Sequence, residues 1–185
     1  MTSSSTPRYL LSILFVLVLS SCSMGSSGHS QKPQSFRFTA DVLAERFNRF
    51  QALEHRRERM LTQNAEIVIG HIIYSFSKWT WLDVHTAVGP EKSRSAVEQI
   101  DLTGRQRDLK TFWNCVDGLI AAADPSISKD DRNQLLSKLR NPSINENSRQ
   151  YGSYDCKGYT VFFCGSNNDP EQAELSFVMQ PTPGL

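Results

Sequence analysis

The 185-residue chain predicts an α+β fold: a single domain in which an antiparallel curved sheet of about six to seven strands carries two main helices on one face. Three observations predict it. Two runs, about Ala40 to Glu54 and Gln106 to Ala123, repeat apolar residues with the helical period. Several shorter runs, clearest in Lys78 to Val88, alternate apolar and polar residues as strands do. The order is strand, helix, three strands, helix pair, three strands, which lacks the alternating βαβ units of a parallel nucleotide-binding sheet.

The elements follow in order. Ser35-Phe36-Arg37-Phe38-Thr39 alternates and predicts a short strand, with Thr39 as the N-cap of the next helix. That helix places Leu43, Phe47 and Phe50 at helical spacing, flanked by Val42 and Leu53. Arg46, Arg49, Arg56, Arg57 and Arg59 are interleaved with Glu45, Glu54 and Glu58, the pattern of a solvated helix face. Glu66 to Phe76 (EIVIGHIIYSF) is rich in β-branched residues and predicts one strand of a hairpin. Its partner, Lys78 to Val88 (KWTWLDVHTAV), puts Leu82, Val84, Thr86 and Val88 on one face and Trp79, Trp81, Asp83 and His85 on the other. Gly89-Pro90 breaks it, and Ala96 to Leu102 is the next strand, ending at Thr103-Gly104. The second helix carries Leu109, Phe112, Trp113, Val116, Ile120 and Ala123 as its stripe and ends at Pro125. Ser128 caps a third, short helix with Leu135, Leu136 and Leu139 inside and Asp130-Asp131 in its first turn. Asn141 to Ser148 reads as polar loop, Tyr151 to Cys156 and Tyr159 to Cys164 as a hairpin, and Ala173 to Met179 as the last strand.

Ahead of this domain, Arg8 precedes an eleven-residue apolar run, Tyr9 to Leu19, too short for a bilayer span of roughly 20 residues. A positive start, a short apolar stretch and small residues at its exit make a secretory signal peptide. The closing Leu19-Ser20-Ser21-Cys22 resembles the lipobox of bacterial lipoproteins. The resemblance implies a signal peptide over residues 1–21, cleavage before Cys22, and lipidation of Cys22 by a diacylglyceryl thioether and an N-acyl chain. Several acyl chains pass the two-anchor threshold for stable membrane attachment. Ser23, where an aspartate would resemble an inner-membrane retention signal, implies an outer-membrane address facing the periplasm. Residues 22–35 (CSMGSSGHSQKPQS) then form the lipidated cysteine and a flexible tether, reaching roughly 20 Å as a random coil. Residues 36–185 are the single periplasmic domain.

Composition narrows the chemistry. Without residues 1–21 the chain carries 19 basic and 19 acidic residues, and no charge excess points to nucleic acid. Three of the four cysteines remain after lipidation, so an oxidising compartment leaves one disulfide and one thiol. If Lys157-Gly158 is a two-residue turn, Cys156 and Cys164 lie too far apart to bridge. Cys115 is then the partner of Cys164 or Cys156, the alternative being three reduced, buried thiols.

No catalytic residues are assigned. A Gly-x-Ser-x-Gly elbow is absent, Cys115 sits on the apolar side of its helix, and Gly152, Gly158 and Gly165 read as turn residues. His71, Asp83 and His85 form the most suggestive polar group. With a hairpin turn near Phe76-Ser77, His71 lies across from about Asp83, and two imidazoles beside a carboxylate are weak metal candidates. No cofactor is expected. Tyr74, Trp79, Trp81 and His85 are the candidate partner-binding face, the competing reading being tryptophans packed beneath the 51–63 segment or the C-terminal tail.

Phe36-Arg37-Phe38-Thr39 followed by Ala44-Glu45-Arg46-Phe47-Asn48, and a later helix with Cys115 followed by Asp124-Pro125 and a short helix, is similar to the small lipoproteins of Gram-negative bacteria. The similarity covers most of the chain from Phe36 to Met179 as a pattern of spacing. Some lipoproteins of this kind are immunity proteins. With the tethered single domain, the missing catalytic set and the candidate aromatic face, this leads to the expectation of a non-enzymatic, membrane-anchored protein that binds a toxin or envelope hydrolase in the periplasm. The alternatives are a structural lipoprotein supporting envelope assembly and a metal-binding or enzymatic lipoprotein.

Overall fold

A computed structural model describes residues 35–88, 95–141, 143–144, 149–166 and 173–182. The signal peptide, Cys22 and nearly all of the tether lie outside the described residues, among which no helix is long and apolar enough to cross a membrane. Eight antiparallel strands form one open sheet: β1 (Ala65–Val68), β2 (His71–Ser75), β3 (Trp81–Thr86), β4 (Val97–Arg105), β5 (Ser143–Ile144), β6 (Arg149–Cys156), β7 (Tyr159–Ser166) and β8 (Glu174–Pro181). Their spatial order is β1-β2-β3-β4-β8-β7-β6-β5, so β8 returns to the centre to pair with β4. Three helices, α1 (Ala40–Leu53), α2 (Leu109–Ala123) and α3 (Lys129–Arg140), complete the expected α+β class.

The helices lie on one face. Ile72, Tyr74, Leu82, Val84, Ile100, Leu102, Val161, Phe163, Leu175, Phe177 and Met179 alternate along the strands and are all buried. They meet the stripe of α2, whose Phe112 and Trp113 rings stand 6.3 and 5.3 Å from Phe163. Helix α1 closes over the other side of α2 through Leu43 and Phe47, with Phe47 5.5 Å from Phe76. Thr39 caps α1 by accepting from Val42 N, and Ser128 caps α3 by accepting from Asp131 N at 3.0 Å. Leu135, Leu136 and Leu139 bury α3, and Tyr154 Oη donates to Lys138 O across to β6.

Several elements differ from expectation for identifiable reasons. The opening strand reduces to an isolated bridge, Thr39 with Ala96, because Thr39 starts α1 and leaves room only for Phe36 N→Val97 O and Val97 N→Phe38 O. The single strand over Glu66–Phe76 is two strands, since Gly70 adopts φ 76° and turns the chain. Strand β4 runs through Thr103-Gly104 to Arg105. Gly104 is there because the Phe112 ring lies on it, and a Cβ would sit 2.5 Å from Phe112 Cδ2. Ser143–Ile144, expected as loop, is a short edge strand on β6. The third helix is twelve residues long, nearly the length of the other two.

Arg56 corrects the reading of a wholly solvated basic face. Its Nη2 donates to Asp117 Oδ2 at 2.6 Å, and Arg132 Nε donates to Asp117 Oδ1 at 2.7 Å. Both guanidiniums also stand over the Phe50 ring, at 5.4 and 4.7 Å. One buried carboxylate thereby joins the end of α1, the middle of α2 and the start of α3. Asn48 holds the connecting segment with a reciprocal pair, Nδ2→Met60 O at 2.9 Å and Met60 N→Oδ1 at 2.7 Å.

Candidate functional site

The sheet face turned away from the helices is organised in cross-strand rows. One row reads Ser75, Trp81, Thr103, Ser176, Cys164 and Tyr151. The next reads Ile73, Asp83, Asp101, Val178, Phe162 and Ser153. A third begins His71, His85, Gln99, and Gln180 joins it through its amide, which donates to Gln99 Oε1 at 2.7 Å. Most of these side chains are half-buried, in contrast to the closed opposite face.

Four titratable groups meet in this array. His71 Nδ1 lies 3.1 and 3.0 Å from the two carboxylate oxygens of Asp83. His85 Nε2 is 3.6 Å from Asp83 Oδ2 and 2.9 Å from Asp101 Oδ2. The imidazole rings are 4.5 Å apart and inclined by 58°. Gln99 Nε2 donates to both oxygens of Asp101, at 2.8 and 2.9 Å, and fixes that carboxylate. His85 Nε2 is shut off from solvent. Its 2.9 Å approach to Asp101 Oδ2 is a close, charge-assisted contact.

The electrostatics follow from burial and crowding. Burial raises the Asp83 carboxyl above its ordinary range; His85 and His71 oppose that, and Asp101 reinforces it. Burial pulls His85 down, but the close Asp101 carboxylate, with Asp83 and Glu98 behind it, outweighs burial and carries the imidazole above its ordinary value. Asp83 and Asp101 are direct cross-strand partners, an arrangement that like charges disfavour. The two histidines and Gln99 make it tolerable.

The structure brings His71, Asp83 and His85 together as expected, although the register differs. His71 pairs with His85, and Asp83 is on the diagonal, because the turn spans residues 76–80. A two-residue shift keeps every side chain on its face, whereas a one-residue shift would have scattered the group. The site also includes Asp101 and Gln99, which the sequence reading placed on a strand without assigning them a role. Their alternation with Ile100 and Leu102 is the signal that puts them opposite Asp83 and His85.

Two members of the expected partner-binding face are elsewhere. Tyr74 is buried on the helix side, paired with Leu82. Three residues from His71, it cannot share a strand face with it. Burial first, and then the charge of Asp41, push its hydroxyl up to about 12. Trp79 sits in the turn between β2 and β3, with the Lys78 ammonium 4.8 Å and the Arg107 guanidinium 4.4 Å from its ring centre. Trp81 and His85 remain on the open face. The expected Cys115–Cys164 disulfide is not formed: Cys115 is buried on the core side of α2, Cys164 lies on the open face, and the sheet separates them. Cys156, on the helix side of β6, is also unbridged.

No family model, curated protein or solved structure matches this chain.

Proposed function

We propose that this chain is a lipid-anchored, periplasm-facing lipoprotein that binds a protein partner through its open sheet face, in the manner of an immunity or inhibitor protein. The observation that carries this reading is the face itself. Among the described residues the helices gather on the other side, and this side presents Trp81, Ile73, Phe162 and Val178 around a fixed acidic pair, Asp83 and Asp101. Six strands at ~4.8 Å spacing, three rows deep, offer on the order of 600 Å², the scale of a small interface beside the ~800 Å² per partner of a standard one. Aromatic and aliphatic anchors surrounding charges held in place by hydrogen bonds suit recognition of a basic group on the partner. The protein acts by covering its partner's functional surface, and Cys22 keeps it at the membrane where that partner arrives.

The test places a photo-crosslinking residue at Trp81, at Phe162 and, as the control, at Leu53 on the opposite side, in cells challenged with the partner's producer. A defined adduct from Trp81 and Phe162 and none from Leu53 is expected. An adduct from Leu53 alone, or none from the open face, refutes the reading. Cys22→Ser should release the chain from the membrane fraction. Deletion should sensitise cells only to the producer; a weakened envelope in pure culture would instead indicate a structural lipoprotein.

A further inference from the structure

We propose that His71, Asp83 and His85 form a binding site for one divalent transition-metal ion of the zinc class. One ring nitrogen of His71, a carboxylate oxygen of Asp83 and one ring nitrogen of His85 all lie within 4.8 Å of one another. Tetrahedral zinc, with ligand bonds of ~2.0–2.2 Å, separates its ligand atoms by about 3.3–3.5 Å. The observed His71–Asp83 and His85–Asp83 separations, 3.0 and 3.6 Å, bracket that value.

Three further features favour a metal over a simple ion-pair cluster. His85 Nε2 is buried, and two carboxylates converge on it, Asp101 Oδ2 at 2.9 Å and Asp83 Oδ2 at 3.6 Å, a concentration of negative charge that a divalent cation would neutralise. A carboxylate hydrogen-bond relay, Gln180 to Gln99 to Asp101, ends against His85. Asp101 faces Nε2 itself, so the ion would take the place of the Nε2 proton and the fixed carboxylate would lie beside it as a further negative charge. The three ligands come from adjacent positions on β2 and β3, two packed strands of the sheet, so their spacing is set by the ladder.

The donor set selects the ion. Two imidazole nitrogens and one carboxylate suit zinc, copper, nickel or cobalt, whereas calcium takes six to eight oxygen ligands and magnesium a near-octahedral oxygen shell. The side chains are progressively more open from Asp101 at 15% exposed, through His85 at 19% and Asp83 at 24%, to His71 at 39%. Three protein ligands on such a face leave the fourth position directed outward, to water or to a donor brought by another molecule. The site stands whether or not the same face engages a protein.

The test is equilibrium dialysis of the full-length, chelator-stripped protein in detergent against Zn²⁺ with excess Mg²⁺, followed by metal quantification. About one zinc per chain is expected, together with a rise of the unfolding midpoint on adding Zn²⁺ and a tetrahedral absorption signature with Co²⁺. Asp83→Asn, which preserves shape, and His85→Ala should abolish all three. His55→Ala, at an exposed histidine outside the cluster, should change nothing. No zinc retained by the wild-type protein, or zinc binding that survives Asp83→Asn and His85→Ala, overturns the proposal. The crosslinking experiment above reads the partner separately, so the two proposals fail independently.

Discussion

Asp117→Ala is the substitution whose cost can be worked most directly from the structure. The carboxylate side chain is 9% exposed and accepts from Arg56 and Arg132 at 2.6 and 2.7 Å. Its removal leaves two guanidiniums facing each other without a counter-charge. Arg56 has a reserve, the Asn114 carbonyl at 3.3 Å and Glu54 at 3.9 Å. Arg132, 10% exposed, keeps the Phe50 ring at 4.7 Å, worth only ~0.5–2 kcal/mol. Truncating one partner of a buried pair costs ~3–5 kcal/mol. A domain of this size has ~5–15 kcal/mol in total, so roughly a fifth or more of its stability should be lost. With a urea slope of ~2 kcal/mol/M the midpoint should fall by about 1.5–2.5 M. The paired replacement Asp117→Leu with Arg132→Met, which removes charge from both sides, should recover most of the loss. If Asp117→Ala costs less than ~1 kcal/mol, as exposed pairs do, the three-helix junction is not held by this carboxylate.

Other outcomes follow from the same geometry. Gly104→Ala drives a Cβ to 2.5 Å from the buried Phe112 ring and should destabilise by ~1–3 kcal/mol in urea unfolding, whereas Gly158→Ala meets no atom within 4 Å and suffers only from its positive φ. In a chelator-containing buffer the elevated pKa of His85 gives stability that is complete below pH ~6.5 and lost as pH rises through the raised folded value, so the unfolding midpoint should fall towards alkaline pH and His85→Gln should flatten the profile. An alkylating reagent applied to the native protein should label Cys164 before Cys115, because burial pushes the Cys115 thiol well up and closes it off; equal labelling would contradict the placement of the two cysteines on opposite faces.

What was legible in the sequence were the features with strong local signals. Thr39 and Ser128 are real caps, and Leu43, Phe47, Phe112, Val116 and Ile120 face the core as the helical period requires. Strand β3 shows its two faces in its own alternation, Leu82, Val84 and Thr86 inward and Trp81, Asp83 and His85 outward. Features decided by distant parts of the chain were harder to read. Gly70 is a single turn signal inside an apolar run, easily absorbed into one long strand, and its positive φ creates the β1–β2 hairpin. Gly104 resembles a strand terminator, but its role depends on a ring eight residues later. Asp117, an acid within the apolar run of α2, was the available clue to the arginine junction. Its partners lie 61 and 15 residues away.

The two faces of the sheet obey different rules, and the difference bears on function. On the helix side the strands present aliphatic and aromatic side chains that pack on Phe112, Val116 and Phe47, Gly104 gives way to a ring, and the one buried charge cluster, around Asp117, lies among the helices. On the open side two carboxylates sit directly opposite each other across β3 and β4, where folding alone would favour any apolar or oppositely charged pair. The arrangement is then stabilised by two imidazoles and a glutamine relay that reaches as far as β8. Such a network costs stability unless each member is satisfied, and here two carboxylates crowd the single nitrogen His85 Nε2. A fold that only needed a sheet would gain from Asp101→Thr or Asp83→Val at these half-buried positions. If those substitutions raise the unfolding midpoint while abolishing zinc binding or the open-face adduct, the negative charge is there for what this face binds.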